Sequence, residues 1–169
     1  MGHPTDINSA LTWDRLDELL DVYPESGHFV WKVWRGGTAH AGTLAGTTSK
    51  TDYLLIKIDR RFYLAHRLMW LFVHKEWPIN DIDHVNLDKA DNRISNLRAA
   101  TRSQNVSNGN VRRDSETQRR GVQKIGNRFM ARITKEGVRE YLGCYGTAEE
   151  AHAQYAIAAK RLHGEFART

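Results

Sequence analysis

Cysteine is almost absent from this chain of 169 residues, in which Cys144 is the single example. A lone thiol excludes an intrachain disulfide framework and any cysteine-rich zinc site, so we expect no structural zinc. Apolar runs are also short, and none approaches the ~20 residues that a membrane-spanning helix requires. The first residues, from Met1 to Asp6, lack the basic and apolar regions of a signal peptide. These absences predict a cytoplasmic protein with no membrane partner, and we expect a monomer.

The charge is distributed unevenly along the chain. Residues 1–108 hold 13 Lys and Arg against 13 Asp and Glu, whereas residues 109–169 hold 12 against 7. The formal net charge of +5 therefore lies entirely in the last third. A basic stripe is typical of a protein that binds a polyphosphate chain, but a solvated basic surface has the same composition. The charge alone leaves both interpretations open.

Hydrophobic periodicity and turn residues predict the elements of the first 74 residues. We expect a short amphipathic helix, a turn, a strand, a β-hairpin and a second helix, at residues 11–22, 24–27, 28–32, 53–64 and 65–74 respectively. Pro78 ends the second helix because proline disfavours helical backbone in the residue before it.

The next segment predicts a strand, a polar loop, a second strand and a helix. The strands are expected at 82–85 and 97–100. Thr101 and Gln104 have the spacing of a capping box, in which each side chain binds a free backbone amide at the start of a helix. That helix is expected at residues 102–108, and its first turn would bring Asn105 back towards Asp83.

Asp83, His84, Asn96 and Asn105 carry the sharpest chemical signal in the chain. The Asp83 carboxylate and the Asn105 amide are hard oxygen donors that suit Mg²⁺, with Mn²⁺ as the alternative. The His84 imidazole can take a proton from water near neutral pH, and that water could attack a phosphodiester. The simpler alternatives are a surface turn at Asp83–His84 and an Asn96 that only satisfies loop backbone groups.

Four stretches of this region resemble the HNH homing endonucleases common in phages. The stretches are residues 65–68, 82–86, 92–98 and 101–105, within a similarity that covers about 23–108. The resemblance implies a ββα-metal fold, also called a His-Me finger, that cuts or nicks DNA. A phage origin would place the protein in the cytoplasm of a bacterial host.

The resemblance also implies a role for each residue of the motif. His84 corresponds to the general base and Asn96 to the middle Asn that orients the site, so these two are the predicted catalytic residues. Asp83 and Asn105 correspond to the metal ligands. Asn105 stands where many relatives have His, which changes the donor atom but retains a ligand.

The last fifty residues predict a three-stranded antiparallel sheet backed by one helix. The strands are expected at 121–125, 128–133 and 139–144. A second capping box at Thr147 and Glu150 opens a helix that runs to about His163 and stops at Gly164.

This segment resembles the Apetala/ethylene-response-factor DNA-binding domain over about residues 119–168. In that family the sheet lies in the major groove of double-stranded DNA, which admits a β-ribbon. Arginines preceding and within the sheet would track phosphates or contact bases. The residues that we predict to bind DNA are Arg112, Arg113, Arg119, Arg120, Gln123, Lys124, Arg128, Phe129, Arg132 and Arg139.

The predicted fold class is α+β, with an HNH nuclease domain at 1–108, a basic linker at 109–118 and a DNA-binding domain at 119–169. Residues 10–64 would form the β-rich part of the nuclease domain and 65–108 its HNH core. The basic residues of the β-rich part either contact DNA or lie in a sheet that only supports the 65–74 helix: Arg35, Lys50, Lys57, Arg60 and Arg61.

The function predicted from these features is a metal-dependent, site-specific DNA endonuclease of the homing type. The alternative is a catalytically silent DNA-binding regulator that uses the HNH portion as a scaffold. A third class, an RNA-binding or structural protein, explains the basic end but not the Asp83, His84, Asn96 and Asn105 set.

Overall fold

The computed structural model describes residues 11–37, 39–109 and 115–167. The chain divides into two compact units, Met1–Ala99 and Ala100–Thr169. Small antiparallel sheets alternate with helices in the described residues, so the predicted α+β class is confirmed. The domain bounds expected from the sequence, with a linker at 109–118, stay a prediction.

The first unit begins with a helix that is shorter than predicted. Helix α1 spans Trp13–Leu19, with the Thr12 hydroxyl accepting a hydrogen bond from the Arg15 amide at 3.2 Å. The expectation that this helix continues to residue 22 is wrong, because Leu20 has extended backbone and begins strand β1, Leu20–Tyr23. Strand β1 pairs antiparallel with β2, His28–Trp31, and this pairing overrides the local helical pattern.

A three-stranded sheet and a helix complete the support of the first unit. The sheet has the order β3 (Thr47–Thr48), β4 (Leu54–Ile58) and β5 (Arg61–Leu64), and the β4–β5 hairpin is antiparallel as predicted. Helix α2, Ala65–His74, follows β5 without a loop and has the predicted bounds. The core is built from fully buried side chains of several elements, including Leu16, Phe29, Ile56, Leu68 and Met69.

The strand–loop–strand–helix order predicted after α2 is confirmed. Strand β6, Asp81–His84, pairs with β7, Leu97–Ala100, and helix α3 spans Arg102–Asn108. The capping box before α3 is present: the Thr101 amide donates to Gln104 Oε1 at 2.7 Å, and the Gln104 amide donates to Thr101 Oγ1 at 3.3 Å.

The second unit contains the predicted three-stranded sheet and its helix. Strands β8 (Val122–Ile125), β9 (Arg128–Lys135) and β10 (Val138–Tyr145) form an antiparallel sheet in the order β10-β9-β8. Helix α4, Ala148–His163, starts at the Thr147–Glu150 capping box and ends at Gly164. Alanines along α4 let it lie close to the sheet, and their small side chains are buried against it: Ala151, Ala158 and Ala159.

Candidate functional site

Asp83 lies near the end of β6 with a buried side chain. Its residue exposure is 4%, and its Oδ2 accepts hydrogen bonds from Arg98 Nε at 3.0 Å and from Arg98 Nη2 at 2.9 Å. Arg98 belongs to β7, the strand paired with β6, so the ion pair crosses this small sheet. The guanidinium therefore fixes the direction in which the Asp83 carboxylate points.

His84 ends β6 and lies in a cluster of three rings. Its imidazole centroid is 5.0 Å from that of His66, with an interplanar angle of 85°, and 6.1 Å from the Tyr53 ring. The rings of Tyr53 and His66 are themselves 5.3 Å apart. The two histidines are buried, and Tyr53 is half-buried. The predicted general base is thus enclosed by aromatic side chains from the start of α2 and from the segment before β4.

Burial keeps the imidazoles of this cluster neutral. It lowers the pKa of His84, a shift opposed by the nearby Asn92 side chain and by the carboxylates of Asp83, Asp88 and Asp91. Burial also lowers the pKa of His66 to about 3, with His84 and Arg67 adding to the effect. A neutral imidazole can accept a proton, which is the state that a general base requires.

Asn96 holds the loop that follows His84. Its Oδ1 accepts from the Asn86 amide at 3.0 Å, and its Nδ2 donates to Asn86 Oδ1 at 3.0 Å and to the Asp91 carbonyl at 2.9 Å. The Asn96 carbonyl also accepts a hydrogen bond from the Val85 amide at 2.9 Å. A buried Asn with three such contacts fixes the loop geometry, and this is a positional role next to the predicted base.

Asp91 adds a charged clamp to the same loop. It accepts hydrogen bonds from Arg93 Nε at 2.8 Å and Arg93 Nη2 at 2.6 Å, and from Asn86 Nδ2 at 2.7 Å. The Arg93 guanidinium lowers the pKa of Asp91 to about 2, with help from Asn86. The loop therefore carries a carboxylate that stays ionised down to strongly acidic pH.

The turn between β1 and β2 contacts the loop between β6 and β7 and supports it. The Ile94 amide donates to the Pro24 carbonyl at 3.0 Å. Gly27 has φ +76°, and a Cβ placed there would lie 2.6 Å from the Arg93 nitrogen and 2.8 Å from the Asn92 carbonyl carbon. Only glycine fits this close approach of two backbones.

Asn105 lies on α3, in the second compact unit, whereas Asp83, His84 and Asn96 belong to the first. Its pairing with Asp83 at one metal ion stays a prediction. One buried carboxylate and one amide oxygen fit Mg²⁺, which keeps several waters and takes only one or two protein carboxylates. Within residues 11–37, 39–109 and 115–167 no cluster of three or more His, Cys, Asp or Glu is placed to hold a metal, and Mg²⁺ does not require one.

The two faces of the second unit's sheet differ in chemistry. Phe129 packs towards α4 against the cluster of Val122, Ala131 and Ala151. Strand alternation places Arg128, Met130 and Arg132 on the opposite face, and the register pairs Tyr141 with Arg132 and Cys144 with Met130. This outer face is defined by Gln123, Arg128, Met130, Arg132, Arg139 and Tyr141, and the Tyr141 ring, which is 63% exposed, lies opposite Arg132. Arg128 also donates to the Cys144 carbonyl at 2.6 Å.

Three further basic residues predicted to bind DNA, Arg119, Arg120 and Lys124, have partners within the unit. Arg119 pairs with Glu149 at 2.7 Å and Lys124 with Glu116 at 2.8 Å, in both cases at the surface. Arg120, just before β8, donates to the Tyr155 hydroxyl at 2.9 Å and to the Gly109 carbonyl. It therefore links the start of the sheet to helix α4. Arg112 and Arg113 lie outside the described residues.

Some basic residues of the β-rich N-terminal part contact other side chains, and others are exposed to solvent. Arg35 donates to Asp59 Oδ1 at 2.8 Å, and Lys57 lies over the ring of Phe62 at 5.4 Å. Arg60 and Arg61 are exposed at the β4–β5 turn. Contact of this hairpin with DNA stays a prediction, and the β1–β2 turn has the supporting role described above.

The sequence interpretation missed several residues that the structure places at these sites. Arg98 faces Asp83 across the β6–β7 sheet, and the two strands predicted at 82–85 and 97–100 were the signal available for it. Tyr141 was missed because the resemblance assigned the aromatic contact to Phe129, whereas strand alternation about Ala131 and Ile133 places Phe129 on the helix side of the sheet. Tyr53 gave no signal, since its neighbours in space are distant in sequence.

Comparisons with known proteins support a nuclease. Residues 63–107 match the family model described as HNH endonuclease, a narrower range than the 23–108 predicted. A curated protein of Acanthamoeba polyphaga mimivirus, described as an uncharacterized HNH endonuclease, is 33% identical over 105 residues. That alignment covers 60% of this chain and 54% of the relative, so the chain spans about half the length of the curated relative it matches.

The matched segment, which is similar to HNH endonucleases, contains β6, β7 and nearly all of α3. The relative comes from a giant virus, and a phage origin for this chain stays a prediction. The resemblance of the second unit to the Apetala/ethylene-response-factor domain also stays a prediction. No helix among the described residues has the length and apolar composition to cross a membrane.

Proposed function

We propose that this protein is a metal-dependent endonuclease that hydrolyses phosphodiester bonds of double-stranded DNA. The observation that carries the proposal is the buried Asp83–His84 pair at the end of β6, within the segment that matches HNH endonucleases. A buried carboxylate beside a neutral, enclosed imidazole is costly for folding and has an evident use in acid–base chemistry. The ion pair with Arg98 accounts for the burial of Asp83 in either function, whereas the adjacent neutral imidazole has a use in the enzyme alone.

Each residue of the centre has a distinct task in the proposed reaction. His84 takes the proton of the attacking water, and burial keeps its imidazole available for that proton by lowering its pKa. Asp83, oriented by Arg98, and Asn105 would hold the ion. A bound Mg²⁺, or Mn²⁺ in its place, would stabilise the charge that develops on the phosphate and on the leaving oxygen. Asn96 would hold the loop after His84 in a fixed geometry next to the reacting group.

The outer face of the second unit's sheet is the proposed DNA-reading surface. Arg128, Arg132 and Arg139 supply positive charge, and Tyr141 supplies an exposed ring opposite Arg132. Such a ribbon fits the major groove, where arginines read base edges or bind phosphates. Phe129 packs against the helix side, and we leave it out of this surface. A separate reading surface is the reason to propose a site-specific enzyme, of the homing type that the resemblance implies.

The deciding experiment is a plasmid-cleavage assay with a matched histidine control. DNA is first selected by its binding to the full chain, cloned into a supercoiled plasmid and incubated with the protein and Mg²⁺ or Mn²⁺. We expect nicked or linear product from wild type and from His74→Ala, an exposed histidine at the end of α2. His84→Ala should bind the same DNA and leave it supercoiled.

The outcomes separate the two functions. Tight binding by wild type without any cleavage in Mg²⁺ or Mn²⁺ favours the silent regulator. Cleavage by His84→Ala at the wild-type rate rejects the assignment of the base. Mapping the cut positions on both strands then decides between a nickase and a double-strand cutter.

A further inference from the structure

His66 contacts the proposed base directly. The imidazoles of His66 and His84 meet edge to face, at 5.0 Å between centroids and 85° between planes. This is the favoured geometry for a pair of aromatic rings. Within the described residues, the buried His66 Nδ1 has no hydrogen-bond partner, so this nitrogen does not fix the ring. Ring packing is the contact that relates the two histidines.

The backbone around His66 fixes where this ring lies. His66 is the second residue of α2, which begins directly after β5. The next residue, Arg67, donates to the Pro78 carbonyl at 3.0 Å and to the Asn80 carbonyl at 3.4 Å. Pro78 and Asn80 lie just before β6, so the start of α2 is tied to the strand that ends in His84. The two rings are therefore held by anchored elements rather than by free loops.

Tyr53 provides a second ring beside His84 and is itself anchored to the loop after β6. Its ring is 6.1 Å from His84 and 5.3 Å from His66, and Lys89 Nζ lies over it at 4.8 Å. Lys89 also donates to the Thr51 carbonyl at 3.0 Å. The His84 imidazole is thus bordered by two rings that are each fixed by neighbouring contacts.

We propose that His66 is a positioning residue, whose ring holds the plane of the His84 imidazole in the orientation that the reaction needs. The inference rests on the proposed function, because an orientation is useful only if His84 accepts a proton. Rotation about the Cβ–Cγ bond of a histidine is soft, and the His84 imidazole is restrained both by the Asn92 side chain and by the two rings beside it. A ring that blocks this rotation keeps the accepting nitrogen aimed at one position, which is the condition for efficient proton transfer.

The test compares His66→Leu with His66→Phe in the full chain, and His74→Leu on the same helix is the control. Leucine fills a similar volume without a ring, whereas phenylalanine restores the edge-to-face contact. We expect His66→Leu to lower kcat about tenfold or more with KM for DNA unchanged, since small misplacements of a reacting group have large effects on rate. His66→Phe and His74→Leu should retain kcat within a few-fold. Tryptophan fluorescence reports the folded fraction, so rates are compared per folded molecule.

An NMR measurement tests the orientation without any reference to activity. Cross-relaxation between the ring protons of His84 and Tyr53 is expected in wild type and in His66→Phe, and its loss is expected in His66→Leu. The His84 signals are assigned by their absence from His84→Ala. Retention of this cross-relaxation in His66→Leu, or an unchanged kcat per folded molecule, overturns the positioning role. A wild-type protein that never cleaves DNA overturns the proposed function instead, and the NMR comparison still decides whether His66 orients the ring.

Discussion

The guanidinium of Arg98 donates two hydrogen bonds to one oxygen of Asp83, from Nε at 3.0 Å and from Nη2 at 2.9 Å. Both side chains are largely withdrawn from water, with 16% of the Arg98 side chain and 5% of the Asp83 side chain exposed. A desolvated carboxylate next to a fixed cation has one preferred direction. The same carboxylate is the proposed metal ligand, so Arg98 controls its aim before any ion binds.

Removal of Arg98 should destabilise the first unit strongly. Arg98→Met leaves the Asp83 carboxylate buried without its guanidinium, which typically costs about 3 kcal/mol. All five tryptophans lie in residues 1–99, so tryptophan fluorescence in a urea titration measures this unit selectively. Asp83→Asn combined with Arg98→Met should be less destabilised than Arg98→Met alone. Equal stability of the single and the double variant would argue against a desolvated pair.

Asp91 predicts a defined dependence of stability on pH. Its pKa in the folded protein is about 2, below the ordinary aspartate value, so the folded state binds fewer protons than the unfolded state in acid. The stabilisation from Asp91 is therefore complete above about pH 5 and is lost as the pH falls towards 2. We expect wild type to exceed Asp91→Asn in unfolding free energy at pH 6, with the difference shrinking below pH 4. A difference that stays constant from pH 6 to pH 2.5 contradicts this linkage.

The two aromatic residues of the second unit's sheet should respond in opposite ways to truncation. Tyr141→Ala removes an exposed ring from the outer face, so DNA affinity should fall about tenfold with stability changed by less than about 0.5 kcal/mol. Phe129→Ala removes packing against α4 and should destabilise the unit by about 2 kcal/mol. Amide hydrogen exchange of β8, β9, β10 and α4 measures the stability of the second unit separately from the first. If the two variants had the opposite effects, the assignment of Tyr141 to the outer face and of Phe129 to the helix side would be wrong.

Salt dependence separates a phosphate contact from an unrelated surface charge. Each phosphate contact adds about 0.9 to the slope of log affinity against log salt concentration. Arg139→Gln on the outer face should therefore lower the slope by about one. Arg161→Gln, on α4 and paired with Glu140 at 2.6 Å, is a control with the same change in charge and should leave the slope unchanged. Equal slopes for both variants would mean that Arg139 binds no phosphate.

Local sequence patterns predicted most of the helices and strands. They failed where a contact between residues distant in sequence decides the structure. The two capping boxes at Thr101 and Thr147 predicted the starts of α3 and α4, because a cap is a contact between residues three apart. The end of α1 was missed, since Leu20 and Val22 fit a helical stripe equally well until β2 pairs with them. At these residues the pairing with β2 outweighs the local preference for helix.

The sequence predicted the residues of the candidate site that belong to the spaced motif, but not those that reach the site only through the fold. Asp83, His84, Asn96 and Asn105 stood out by spacing, and the first three lie in one unit around β6 and its loop. His66 carries no signal in the sequence, because a single His at the start of a helix fits no catalytic or ligand pattern. Its contact with His84 depends on how α2 lies against β6, which no local spacing encodes.

Gly27 has a consequence for how this domain can be recombined. Its backbone touches that of Asn92 and Arg93, and no other residue fits there without moving one of the two segments. A chimaera that grafts the loop and strands of residues 81–100 from a relative onto this chain imports a new backbone path opposite the β1–β2 turn. Such grafts should fold when residues 20–31 are exchanged together with residues 81–100. The two segments therefore have to come from the same parent, although they are separate in sequence.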